Sequence, residues 1–132
     1  MLSANAVEAT ELRVTVKNID VNRGGDLIVM VFGEDGFPIK HEKALLSQTK
    51  PPQRETMEFS FNVNYDELAV KVLHDENSDG KVTKNWTGII PKEGLGFSND
   101  QKLSIAGPPK YNKSKLFKEQ YLDGVVINII YP

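Results

Sequence analysis

Apolar and polar residues alternate with a period of two through much of this chain, and helical periodicity is scarce. Across residues 11–18, Leu12, Val14 and Val16 fall on one face and Arg13, Thr15 and Lys17 on the other. That pattern predicts a half-buried strand. Residues 56–63 repeat it, with Met57, Phe59, Phe61 and Val63 set against Thr56, Glu58, Ser60 and Asn62. Residues 68–73 place Leu68, Val70 and Val72 on one face and Ala69, Lys71 and Leu73 on the other. Residues 27–32 form a continuous apolar run, and residues 125–131 form another that only Asn128 interrupts. Such runs suit strands covered on both faces.

Turn formers punctuate these segments. Asn22-Arg23-Gly24-Gly25-Asp26 reads as a turn, Gly33, Gly36 and Pro38 break the next stretch, and Pro51-Pro52 precede the 56–63 strand. Residues 41–46 fit either a helical turn or the start of a short strand. From His74 to about Gln120 the regular pattern lapses, with glycine or proline at 80, 88, 91, 94, 96, 107, 108 and 109. An irregular stretch this long inside a domain is usually functional or braced by something. Short strands separated by turns predict an all-β, two-sheet antiparallel sandwich of about seven strands, immunoglobulin-like or transthyretin-like, with the irregular segment after the fifth strand. Its core is expected at Leu12, Val14, Val16, Ile28, Met30, Phe59, Phe61, Val70, Val72, Ile127 and Ile129. The chain has 132 residues, the usual size of one domain. Residues 1–10 are expected as a disordered N-terminal remnant and 11–132 as the sandwich.

Composition narrows the function classes. Charged residues make up 26% and apolar residues 39%, and the net charge is −2. That mixture is globular and gives no general attraction to nucleic acid or anionic lipid. The chain has no cysteine, so disulfides and thiolate-held metals are excluded. No apolar run is long enough to cross a membrane as a helix. Ala4-Asn5-Ala6 has the small-x-small form of an export cleavage site, so a trimmed signal peptide is one account of the N-terminus and a frayed native end is the other.

The strongest chemical motif follows residues 68–73 directly. Asp75-x-Asn77-x-Asp79-Gly80-Lys81-x-Thr83 places oxygen donors at alternate positions of a tight loop, as calcium requires. By the EF-hand pattern, Asp75, Asn77 and Asp79 supply the first three ligands, the Lys81 carbonyl the fourth, and Thr83 a direct or water-mediated one. Gly80 permits the sharp turn. The twelfth position, where an EF-hand has a bidentate glutamate, is Trp86. A site here must therefore be completed from elsewhere, with Glu76, Glu93 and Asp100 the nearby candidates. An Asx-rich hairpin turn without metal has the same composition.

Other chemistry is thinner. His41 and His74 are the only histidines, and a zinc site would need both together with carboxylates. No nucleophile elbow, phosphate-cradling loop or dinucleotide fingerprint is present. Glu76, Asp79 and Glu93 offer carboxylate pairs of the kind glycoside hydrolysis uses, as any acidic loop does. Residues 101–118 carry five lysines and no acid, a pattern of solvated loops more often than of anion-binding surfaces. Trp86 fits either a ligand-stacking role or an edge plug of the core. Asn85-Trp86-Thr87 and Asn112-Lys113-Ser114 match glycosylation sequons, which matter only in a eukaryotic secretory protein.

Several ordered blocks also resemble one bacterial family. They are His74-Asp75-Glu76-Asn77-Ser78-Asp79-Gly80-Lys81, Asn85, Gly88-Ile89-Ile90-Pro91-Lys92-Glu93-Gly94 and Gly96-Phe97-Ser98-Asn99, with Gly36-Phe37-Pro38, Glu42-Lys43-Ala44-Leu45 and Gly107-Pro108-Pro109. The resemblance is to domain of unknown function 2141 and spans roughly residues 12–130. It implies export to the periplasm or medium and a sandwich related to carboxypeptidase-regulatory or transthyretin-like domains. It carries no catalytic residues to transfer. Val82-Thr83-Lys84 departs from the family, which often has an acidic residue there. The expectation is therefore an exported, non-enzymatic binding or structural module with a calcium-stabilised loop, whose partner is a protein or glycan of the cell envelope. A hydrolase using the loop carboxylates and a purely structural domain without metal are the alternatives.

Overall fold

Leu12, Val14 and Val16 stand fully buried along β1 (Thr10–Lys17), as their alternation dictates. The computed structural model describes residues 10–76 and 93–132, so the expected N-terminal remnant lies almost wholly outside the described residues. β4 (Met57–Val63) runs antiparallel to β1 with Leu12 opposite Phe61 and Val14 opposite Phe59. β8 (Val125–Asn128) flanks β1 on its other side, giving the order β4-β1-β8.

The second sheet has the order β3-β2-β5-β6. It contains β2 (Asp26–Phe32), β3 (Leu46–Lys50), β5 (Glu67–Asp75) and β6 (Gly94–Phe97), with the two-residue β7 (Leu116–Phe117) also pairing β5. Leu27, Val29, Val31, Leu68, Val70 and Val72 face the first sheet and close one apolar core with Leu12, Phe59, Phe61 and Ile127. The fold is thus mostly β, in two layers.

The alternate face of the second sheet is buried too. Met30, Phe32, Leu73, Leu95 and Phe97 form a separate cluster, with Ile28, Phe37 and Ala44 packed on it. That explains why β2 and β5 read as apolar on both sides. It also corrects one core expectation: Ile28 is only partly buried. Met30 is buried as expected, in the outer cluster, because the segment after β2 folds back over this face.

Four further differences concern the strands and their topology. The described residues contain eight strands, where about seven were expected. β1 and β8 are parallel, with Val14 opposite Val125 and Val16 opposite Ile127, so the sandwich is not antiparallel throughout. β8 is also shorter than the predicted 125–131 run. The chain crosses to the other sheet at its end, where Leu95 and Ile130 exchange backbone hydrogen bonds of 3.1 and 2.8 Å. The supposedly irregular region after β5 holds β6, α1 (Tyr111–Ser114), β7 and α2 (Lys118–Tyr121). Among the described residues, no helix is long and apolar enough to cross a membrane.

Candidate functional site: the stem of the acidic loop

β5 ends at Asp75, and the described chain resumes at Glu93, one residue before β6. These two positions form the stem of the acidic loop. His74 pairs in register with Leu27 on β2 and with Gly94 on β6, and Asp75 pairs with Asp26. Asp75 is 1% exposed and Glu93 is 4% exposed. The Glu76 backbone N–H donates to Glu93 Oε2 at 3.0 Å, which ties the two sides together. Gly25 lets the turn before β2 lie against the end of β5. It has φ +68°, and a Cβ there would lie 2.1 Å from the Asp75 carbonyl oxygen.

His74 is wholly buried and uses both ring nitrogens. Nε2 lies 2.7 Å from the Gly24 carbonyl and Nδ1 lies 2.8 Å from the Tyr131 hydroxyl. A carbonyl only accepts, so Nε2 carries the proton and Nδ1 accepts from Tyr131 O–H. The same hydroxyl accepts from the Asp20 N–H at 2.8 Å. A directed chain therefore runs from Asp20 through Tyr131 and His74 to Gly24. Burial pushes the Tyr131 phenol above its ordinary range, which keeps the donor proton in place.

Arg23 covers this chain from outside. Its guanidinium sits 4.4 Å from the Tyr131 ring centroid, with Nε 3.1 Å from Asp20 Oδ2 and an Nη atom 3.0 Å from Glu76 Oε2. Asp20 caps the 3-10 turn Val21–Arg23 by accepting the Asn22 N–H at 3.1 Å. That bond first, and Arg23 second, hold its carboxyl below the usual carboxylate range. Glu76 and Asp20 in turn raise Arg23. Glu76 is thus held outward by an arginine.

Of the predicted ligands, Asp75 stands buried at the mouth of the stem. Asn77, Asp79, Lys81 and Thr83 lie outside the described residues, as do Trp86 and the Asn85 sequon. Among the described residues, no three His, Asp or Glu side chains converge to hold a metal ion, so a complete site would have to draw on residues 77–83. Of the completing candidates, Glu93 reaches the stem, whereas Asp100 lines a cleft with Val126 and Gln120. The two histidines are apart. His41 Nε2 lies 2.9 Å from the ammonium of Lys71, which is 3% exposed and donates to the Pro38 carbonyl at 2.7 Å. Both nitrogens of His74 are already bonded within the protein.

Sequence reasoning missed Asp20, Arg23 and Tyr131 as parts of the stem. The Asn22-Arg23-Gly24-Gly25-Asp26 turn was visible, but Arg23 meets Glu76 53 residues away, and Asp20 meets Tyr131 111 residues away. No local pattern encodes such pairings.

No curated protein and no solved structure matches the chain. One family profile does match, over residues 14–121, which is most of the chain. This protein belongs to DUF2141, the family described as an uncharacterized protein conserved in bacteria.

Proposed function

We propose that this bacterial chain is a non-enzymatic module of the cell envelope, periplasmic or secreted, in which a calcium ion orders the loop that follows β5. Asp75, Asn77, Asp79, the Lys81 carbonyl and Thr83 supply the ligands. The module presents the ordered loop to a protein or glycan partner.

The position of Asp75 carries this reading. The first residue of the ligand pattern is fixed at a strand end, nearly without solvent, and Glu93 returns beside it through the Glu76 N–H. A ligand held in place before binding loses less entropy on coordination. Arg23 keeps the Glu76 carboxylate turned toward Asp20, so Glu76 stays out of the ligand set. With two carboxylates in the set and no bidentate twelfth residue, the dissociation constant falls at about 10⁻⁴–10⁻³ M, the range of extracellular modules.

Isothermal titration of the protein with calcium tests this. The expected result is one saturable site in that range that Asp79→Ala removes. Heats of dilution alone would overturn the proposal.

A further inference from the structure

The unpaired edge of β8 opens onto a polar cleft, and we propose that this cleft receives an extended peptide segment carrying a cationic side chain. The proposal is independent of the acidic loop.

The Ile129 N–H donates to the Lys17 carbonyl at 3.0 Å. Along a parallel ladder, alternate residues of a strand point their backbone groups at the same neighbour. With Val125 opposite Val14 and Ile127 opposite Val16, the odd residues of β8 therefore serve β1. The backbone N–H and C=O of Val126 point the other way. Further along that outer edge, β6 closes the ladder at Ile130 through its two bonds to Leu95. β6 does not continue past that point. Gly96 passes so close to β8 that a Cβ there would lie 2.5 Å from Ile127 Cγ2. Asn99 and Asp100 then adopt left-handed conformations, φ 60° and 55°. Two successive non-glycine residues in that region are uncommon. They end the pairing before it reaches Val126.

The gap left is a cleft of about 200 Å³ lined by Asn99, Asp100, Gln120, Gly124 and Val126. The length of one or two extended residues fits it, at about 3.3 Å per residue. Its polar groups are oriented. The Asn99 amide nitrogen is spent on the Lys115 carbonyl at 2.8 Å, and Gln120 Oε1 accepts the Phe117 N–H at 2.8 Å. That leaves the Gln120 amide as a donor and the exposed Asp100 carboxylate as the charge of the cleft. A strand edge provides a donor and an acceptor at the spacing of another backbone, the basis of peptide recognition by strand addition. Asp100 adds the preference for a lysine or arginine.

The other free edge of the same sheet is closed by contrast. The Lys50 ammonium donates to the Glu58 carbonyl at 3.0 Å and the Gln48 amide donates to the Ser60 carbonyl, so side chains from β3 cover the edge of β4. Such covering is how proteins block unwanted strand pairing. Among the described residues, no side chain covers the edge at Val126 in this way.

The test is amide-resolved NMR titration of the ¹⁵N-labelled protein with the capped peptide acetyl-Val-Lys-Val-amide. Shifts are expected at Asp100, Gly124 and Val126, saturating at millimolar peptide or below. Val126→Pro removes the outward N–H at an edge-strand position that tolerates proline and should abolish them. Asp100→Asn is a surface change that leaves folding intact, and it should weaken binding about tenfold. The glutamate analogue acetyl-Val-Glu-Val-amide should bind more weakly. No shifts at these residues, or shifts that survive Val126→Pro, would overturn the proposal. Equal binding of the two peptides would overturn its cationic part.

Discussion

Tyr131 donates a hydrogen bond from its hydroxyl to His74 Nδ1 across 2.8 Å, joining the C-terminal residues to the end of strand β5 before the acidic loop. The pair meets edge to face, with ring centroids 5.6 Å apart. Because the hydroxyl also accepts the Asp20 N–H, one phenol oxygen serves two partners, the wholly buried His74 and the half-buried Asp20 backbone. Tyr131→Phe should therefore leave both unmet. A loss of about 1–3 kcal/mol is expected in urea denaturation, with a slope unchanged from the parent. A neutral result would show that the hydroxyl does not fasten the stem.

Alkaline pH should weaken the fold by a related route. Burial raises the Tyr111, Tyr121 and Tyr131 phenols above their ordinary value of 10.0. Glu67, 2.9 Å from the Tyr111 hydroxyl, adds to the shift there. The unfolded chain then releases these protons at lower pH than the folded one. Stability is full below about pH 10 and falls as pH rises beyond it, toward the folded values. Melting temperature recorded from pH 8 to 11.5 should be flat and then decline. Tyr111→Phe should make the decline shallower.

Phe97 supports the stem from β6. It is 3% exposed and meets Phe37 edge to face at 6.2 Å. Phe97→Ala should cost about 3–5 kcal/mol, read by denaturant unfolding. A loss below about 1 kcal/mol would mean that β6 is held chiefly by its backbone pairing to β5.

Gly25 tests the packing of the turn against the strand end. A methyl group there would meet the Asp75 carbonyl and the Glu76 backbone, at a φ that alanine disfavours. Gly25→Ala should lower stability by more than about 1 kcal/mol. Gly24→Ala, whose Cβ would meet nothing within 4 Å, should cost less despite the similar φ of +71°.

The contrast between β4 and β6 shows how much of this was legible in sequence. β4 alternates without exception, because one face meets the core and the other meets water, so Met57, Phe59, Phe61 and Val63 announce themselves. β6 is Gly-Leu-Gly-Phe, two of whose residues are poor strand formers. Its glycines are there for the close crossing against Ile127 and Ile129, a tertiary demand that composition does not express. β3 was only glimpsed, as a strand start near Leu46, for the opposite reason. Its residues are half-buried or exposed at a sheet edge, which leaves little apolar signal. The burial of Leu95 and Phe97 was readable as two apolar anchors in a glycine run. Asp100, a candidate to complete the loop site, lines a cleft beside β8 with Asn99, both in left-handed conformations, while the loop itself lies outside the described residues. At the loop itself the spacing of Asp75, Asn77 and Asp79 was plain, while its fastening by Arg23, His74 and Tyr131 rests on contacts made across the whole chain.

Thermal melting against calcium concentration tests the central proposal most directly. A ligand that binds only the folded state stabilises it by about 2.7 kcal/mol at one hundred times its dissociation constant. The melting temperature should rise steadily as calcium goes from zero to tens of millimolar, magnesium should do less, and Asp79→Ala should remove the rise. A melting curve that does not move over that range would contradict a calcium-ordered loop.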